Sequence, residues 1–476
     1  MEPVASVENP SDPGAGRDDA PACLLPPSHH NTRTLMTEDA THGGMNRRVW
    51  RLAGPLVLSN MSIPLLGAVD TAVVGRMPDA SYIGAVALGS LVFSYLYWGS
   101  GFLRMGTTGL TAQALGSGDA DEARAVFLRA VLVGAALSIV FVLLRGVIGT
   151  SAFSILSAGA EVERLADIYF RTRIWGAPAA LANFAVIGWL FGVEKTRHTL
   201  VVQLVQNLLN MGLDILFVMG FGWGIRGVAV ATVISEYVGL AVGIVFILNA
   251  ANGVGGSWRR DLIADRQRLT HLLRVNGDIF IRTLSLITGF AYFTQQGARM
   301  GDITLAANAI LMHFQGIQAY GLDAFAHAAE ILVGGAVGAG SKDAFRRAVR
   351  VSTRWAAGTA LVCCLLYAVG GDALIRAMTT IETVREAARA ILPWAIVSPI
   401  ISVWSFQLDG IFLGATRTRE MRNGMILALA IFLIAVHTLV PVFGNHGLWL
   451  ALMVYMASRA GALAAFYPRI VRQVAA

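Results

Sequence analysis

The sequence predicts an all-α membrane protein with twelve transmembrane helices. They fall in two six-helix lobes related by a pseudo-twofold axis along the membrane normal. Three observations predict this. The composition is that of a chain solvated by hydrocarbon: of 476 residues, 55% are hydrophobic and only 14% are charged, and the mean hydropathy is +0.61. Soluble chains carry nearer a quarter charged residues. Apolar runs of about 20 residues, the length that crosses a bilayer core, recur along the sequence. The second half also repeats the first.

Six apolar runs lie near 50–75, 82–115, 123–149, 163–193, 197–220 and 226–250. Six more lie near 270–298, 303–338, 344–370, 384–414, 419–443 and 446–470. Only helices and closed barrels satisfy the backbone in hydrocarbon. None of these runs shows the apolar-polar alternation of barrel strands, so helices are expected. Their many Gly and Ala residues suit close helix packing. The domain reading is a disordered cytoplasmic tail over 1–44, an N-lobe over 45–250, a cytoplasmic linker over 251–268 and a C-lobe over 269–476. The tail is rich in Pro, Ser, Asp and His and has no apolar core of a signal peptide. Met45 is an alternative start.

The repeat fixes six spans per half. LGSGDADEAR at 115–124 matches VGAGSKDAFR at 337–346, pairing Gly116 with Gly338, Gly118 with Gly340, Asp121 with Asp343 and Arg124 with Arg346. The same shift of 222 residues pairs Gly188, Gly192, Thr196 and Arg197 with Gly410, Gly414, Thr418 and Arg419. Chance would give under about one Gly identity in such a window. Halves with an even number of spans share one orientation. Their symmetry axis then runs along the membrane normal, and a substrate cavity is expected between them.

Charge sets orientation and excludes other classes. The net charge of +7 is spread between apolar runs rather than gathered in a basic patch, which argues against nucleic acid. Roughly 22 Lys and Arg lie on the side holding both termini and about seven on the other, so both termini face the cytoplasm. The three cysteines, Cys23, Cys363 and Cys364, form no CxxC or Cys/His set, so neither a structural disulfide nor zinc is expected. No GxxxxGK[ST] motif marks a primary pump, and no HExxH or GxSxG marks an intramembrane hydrolase.

The strings GPLVLSNMSIPLLGAVDTAVVGRM (54–77), ALGSGD (114–119) and LDGIFLGATRTREMR (408–422) resemble the multidrug and toxic compound extrusion (MATE) family. AYGLDAFAHAAEILVGGAVGAGSKD (319–343) resembles its DinF-type branch. The resemblance covers nearly all of 50–470. It implies a two-lobed, twelve-helix secondary transporter that exports bulky, amphipathic, often cationic organic compounds in exchange for H+ or Na+. It implies no enzymatic activity and no cofactor beyond the coupling ion. The expected setting is the bacterial inner membrane, as a multi-pass monomer. A lipid or polysaccharide-precursor flippase of related fold, which would want several cavity arginines for phosphate, and a non-transporting scaffold are the alternatives.

Ionisable residues at membrane depth mark functional sites, because a carboxylate there costs about 2.5–3.5 kcal/mol on insertion scales. Asp70 lies deep in the first span with no counter-charge among its neighbours. Pro55 and Pro64 precede it. Each removes a backbone hydrogen bond, permitting a hinge. Asp214 follows Asn210 by one turn, and Thr232 lies in the next helix. Two carboxylates, an amide oxygen and a hydroxyl suit a hard cation such as Na+, or a proton. In the resembling family the first-lobe cation site uses an Asp on helix 1, an Asn and Asp one turn apart on helix 5 and a Thr on helix 6, which is the pattern of Asp70, Asn210, Asp214 and Thr232.

The second half offers a looser set. Asp323, His327 and Glu330 share one helical face, Asp278 and Arg282 are one turn apart and are expected to neutralise each other, and Asp409 stands alone in its span. Gln295, Gln315, Gln318, Gln407 and His437 add polar atoms at depth. These residues line a substrate cavity or form a structural network; both readings place them in the interior. Tyr95, Trp98, Tyr292 and Phe314 are candidates for stacking on an organic cation.

Overall fold

The computed structural model describes residues 42–77, 79, 81–156 and 159–474. The tail reading over residues 1–41 lies outside the described residues. Helix begins at His42, a few residues before the expected first lobe.

The N-lobe starts with α1 (His42–Val74), α2 (Ser81–Ser100), α3 (Phe102–Gly116), α4 (Ala120–Leu143) and α5 (Arg145–Leu156). It continues with α6 (Ala160–Arg173), α7 (Ala177–Gly192), α8 (Thr196–Asp214) and α9 (Gly224–Val254). A short α10 (Arg260–Ile263) bridges to the C-lobe helices α11 (Arg266–Arg299), α12 (Asp302–Gly338), α13 (Lys342–Met378), α14 (Glu382–Gly414) and α15 (Thr418–Gln473). Among the described residues, eight helical stretches are long and apolar enough to cross a membrane. The last of them is two helices, because Gly444 breaks α15 with φ 55° and ψ −130°. The other three crossings, α1, α11 and α12, are equally long but carry more polar side chains, Asp278 and Arg282 on α11 and Asp323 and Glu330 on α12 among them. The count is twelve crossings in two lobes.

The repeat survives at the level of single dihedrals. The turn after α3 holds Gly118 at φ +81°, and the turn after α12 holds Gly340 at φ +62°. Left-handed backbone favours Gly. The next residue in each turn caps the following helix. Asp119 accepts a hydrogen bond from the Glu122 amide at 2.9 Å, and Ser341 accepts one from the Ala344 amide at 3.3 Å. Such caps satisfy otherwise orphaned helix amides. Glu194 and Thr416 are non-glycine residues with positive φ, and they too stand 222 positions apart.

Contacts between lobes gather in the half of the helices nearer the termini. Trp50 packs edge-on against Phe325 and Trp355, and Trp355 Nε1 donates to Asn46 Oδ1 at 2.9 Å. Gln113 Nε2 donates to the Gly414 carbonyl at 2.8 Å. Helices α3 and α12 cross so closely that a Cβ on Gly116 would collide with the Gly335 carbonyl, and one on Gly338 with the Gln113 carbonyl. Asn60 Nδ2 donates to the Tyr320 carbonyl at 3.1 Å. Farther from the termini, contacts join helices of one lobe, such as Ser90 with Tyr169, Asn308 with Asn445 and Tyr292 with His437. The two lobes are therefore sealed on the terminal side and diverge on the other.

Candidate functional site

Asp70 sits in the last two turns of α1, beyond the seal. The helix runs unbroken through Pro55; the side chain of Pro64 lies outside those described. Asp214 closes α8, and the next residues, Ile215–Gly220, wind into a π-helix. Insertions of this kind recur at functional sites. Asn210 and Asp214 are buried at 3% and 1% exposure. Asn210 Nδ2 donates to Thr232 Oγ1 at 3.3 Å, and Thr232 in turn donates to the Val228 carbonyl at 3.0 Å. The Asp70 and Asp214 carboxyl groups adjoin within reach of a shared proton. The structure thus brings together Asp70, Asn210, Asp214 and Thr232.

The cluster is short of positive charge. One oxygen of Asp70 and both of Asp214 are buried with no hydrogen-bond donor. Native structures leave few buried polar atoms in that condition. Asn207, one turn from Asn210, donates to Ser62 at 2.8 Å and links α8 to α1.

A second tier was not anticipated from the sequence. Glu236, at 4% exposure, lies one turn after Thr232 on α9, and its Oε1 is 3.9 Å from Arg173 Nη2. Its Oε2 has no partner, and a Cβ on Gly176 would collide with it. Arg173 stands over the rings of Phe93, Tyr97 and Tyr169 at 4.5, 5.9 and 5.8 Å, and donates to the Tyr169 hydroxyl at 3.2 Å. Its charge also reaches Asp70 and Asp214. Three carboxyl groups therefore share one guanidinium. The signal in the sequence was the lone Glu in GVAVATVISEYVGLAVG, at i+4 from Thr232.

The donor set is all oxygen and holds two carboxyl groups, not three. Among the described residues, no three His, Cys, Asp or Glu side chains form a metal-ligand group. A bound Na+ would rest on two carboxylates with the Asn210 and Thr232 oxygens, and a proton needs only the carboxyl pair.

The C-lobe residues take different partners from those expected. Asp278 does not neutralise Arg282. Its Oδ1 accepts from Arg422 at 2.6 Å and its Oδ2 from Thr418 at 3.1 Å. Arg282 instead binds Asp409 closely. Nor is Asp409 alone, because Arg459 also donates to it at 2.9 Å. The expected pairing joined neighbours along one helix, whereas the long guanidinium arms cross to adjacent helices. Arg459, at 3% exposure, was overlooked because it lies late in the last span.

His327 Nδ1 is 3.1 Å from Glu330 Oε2, and Asp323 lies nearby on the same helix. The His327 ring meets Phe191 of the N-lobe at 5.8 Å. Gln315 and Gln318 donate to Ser398 at 2.7 and 3.0 Å, and Gln407 to Ser352 at 2.6 Å. Among the cavity candidates Phe314 is core, 1% exposed against Tyr367, and Gln295 is exposed. Tyr95 and Trp98 are exposed at 51% and 63%.

Comparison with known proteins agrees with this architecture. The MatE family model matches residues 55–216 and 280–442. DNA damage-inducible protein F of Escherichia coli is 38% identical over 424 residues, 89% of this chain and 92% of that one. A probable multidrug resistance protein NorM of Bacillus cereus is 23% identical, covering 85% of this chain and 91% of its own. A solved structure described as the outward-facing conformation of a multidrug resistance MATE family transporter superposes with a TM-score of 0.84 at 18% identity, over 94% of this chain and 99% of that one. The Vibrio cholerae MATE transporter VcmN in its bent form superposes with a TM-score of 0.81 at 19% identity, over 91% and 98%. These structures show the fold.

Proposed function

The chain belongs to the MATE family of multi-pass membrane transporters, and on that premise we propose that it is an inner-membrane antiporter exporting organic compounds against H+ or Na+. The observation that carries this reading is the donorless carboxyl pair of Asp70 and Asp214. Two adjoining carboxylates in low dielectric repel, and a proton or small cation between them removes the penalty. The cluster lies on the side where the lobes diverge. With both termini cytoplasmic, as the loop charges predict, that side is external.

The cycle follows from this geometry. In the arrangement described here the cluster is reached from outside and takes up the coupling ion. Neutralising it removes the repulsion between α1 and α8 and frees α1 to shift. The cytoplasmic seal of α3 against α12 then opens, and substrate enters from the inner face. Alternating access between two lobe arrangements needs only that ion and substrate favour different ones. No covalent chemistry is involved, and the partners are the bilayer and small organic molecules.

The flippase reading asks for unpaired arginines in the cavity. Arg282 and Arg459 are instead held by Asp409, which leaves Arg104, over the Phe191 ring with its Nη1 unpartnered, where several are wanted. The test is dye efflux from vesicles with proton or sodium gradients imposed separately. Asp70→Asn and Asp214→Asn should each abolish gradient-driven export at normal expression, and full transport by both variants overturns the reading.

A further inference from the structure

A cavity of about 840 Å³ lies far from the Asp70 cluster, among helix ends on the face that carries both termini. The N-lobe contributes the start of α1, the end of α3, the α7–α8 turn and the end of α9; the C-lobe contributes α12 and the start of α13. Five cationic side chains line it, Arg48, Arg51, Lys195, Arg197 and Arg347, against the single carboxylate of Glu194. That carboxylate is committed. Arg48 binds both of its oxygens, and Arg51 stands 3.6 Å from it. Among the described residues no carboxylate pairs with Lys195, Arg197 or Arg347, and Arg347 Nε is buried without a hydrogen-bond partner.

The internal repeat supplies a control. Leu110 and Glu122 line a smaller cavity of about 220 Å³, together with Arg129, Arg268 and His271. A shift of 222 residues carries Leu110 to Leu332 and Glu122 to Ala344, and both of those line the larger cavity. In the first half Glu122 accepts from Arg129 at 2.5 Å and binds Arg268 closely. Its counterpart Ala344 has neither the charge nor the volume to do this. The same place in the fold is filled by the protein's own carboxylate in one half and left open, beside unpaired guanidinium and ammonium groups, in the other.

The lining identifies the chemistry of a ligand. Guanidinium forks match phosphate oxygens, and apolar walls of Met45, Ile331 and Leu332 suit an attached organic part. The cations come from both lobes, so one oxyanion would tie the lobes together on their sealed side. We propose that this cavity binds a phosphate group, carried by an anionic lipid headgroup or by a soluble organic phosphate, and that occupancy favours the lobe arrangement seen here. The proposal does not depend on which ion the Asp70 cluster takes.

The test is calorimetric titration of the purified full chain, in phosphate-free detergent buffer, with three probes: dihexanoylphosphatidylglycerol, glycerol 3-phosphate and zwitterionic dihexanoylphosphatidylcholine. One of the first two should bind saturably, with phosphatidylcholine at least tenfold weaker. Binding of the lipid alone assigns a headgroup site; binding of glycerol phosphate assigns a soluble ligand. Arg347→Gln should weaken binding at least tenfold without changing the melting temperature of the free protein. Ala344→Glu, which restores the acid of the other half, should do the same, and if it fails to fold Arg347→Gln decides. Binding of neither anionic probe, or equal binding by both folded variants, overturns the proposal.

Discussion

The closest approach between the lobes gives a prediction about conformational balance. A methyl group on Gly338 would meet the Gln113 carbonyl, and one on Gly116 the Gly335 carbonyl. Both obstacles are backbone in the last turns of α3 and α12, so no flexible side chain can swing aside. Overpacking of this kind costs about 1–3 kcal/mol. The clash exists only while α3 and α12 touch, so the cost falls on this arrangement and not on one with the terminal side open. The population ratio should therefore move by about 5- to 150-fold toward the arrangement open on the terminal side. Spin labels at Ile83 and Ile303, exposed at 42% and 49% on the diverging side, report the change by pulsed distance measurement. Gly338→Ala should raise the shorter-distance population, and Gly116→Ala with Gly338→Ala should raise it further. Gly461→Ala is the control, because nothing lies within 4 Å of a Cβ there. An unchanged distance distribution in the folded double variant would refute the assignment of this crossing as the seal.

Two further outcomes follow from the charges. Asp409→Asn leaves Arg282 and Arg459 buried without their anion, and breaking such a pair costs about 3–5 kcal/mol. Thermal unfolding in detergent should show that loss, whereas Glu420→Gln, at a 3.9 Å pair with a half-exposed Arg417, should stay within about 1 kcal/mol. Glu236→Gln removes one of the three carboxyl groups around Arg173 but leaves the Asp70 and Asp214 pair. Export should persist with a shallower dependence on the imposed gradient than in the parent, as measured by initial dye-efflux rates across a series of gradients.

The architecture was legible because each part of it is written locally. Apolar length sets the crossings, and the paired turns at Gly118 and Gly340 announce the duplication before any contact is known. The four-oxygen cluster was legible in the same way, since Asn210 and Asp214 are one turn apart and a carboxylate in mid-span is costly enough to mark a site. Partnerships between distant helices were not. Asp278 is one turn from Arg282 in sequence, yet Arg422, 144 residues away, claims it. Arg459 could be recognised as a partner of Asp409 only once α15 was seen to lie against α14. Glu236 was visible as a lone acid, but its meaning depends on Arg173, which reaches it from another helix. Sequence spacing orders the residues of one helix face. It says nothing of which guanidinium crosses a gap between helices.

The duplication also accounts for the different roles of the lobes. A repeated scaffold puts equivalent backbone in both halves, and function then depends on where charge breaks the symmetry. Around Arg173 the N-lobe gathers three carboxyl groups, two of them adjoining, so the site lacks positive charge. Around Asp409 the C-lobe sets two guanidinium groups against the carboxyl group of Asp409 and that of Asp323, which lies within electrostatic reach of Arg282, so the charges there balance. A cation entering the divergent side is drawn more strongly to the first than to the second. The proposed coupling-ion site in the N-lobe rests on this asymmetry. The C-lobe charges, already paired across α11, α14 and α15, leave no such excess for a cation to relieve.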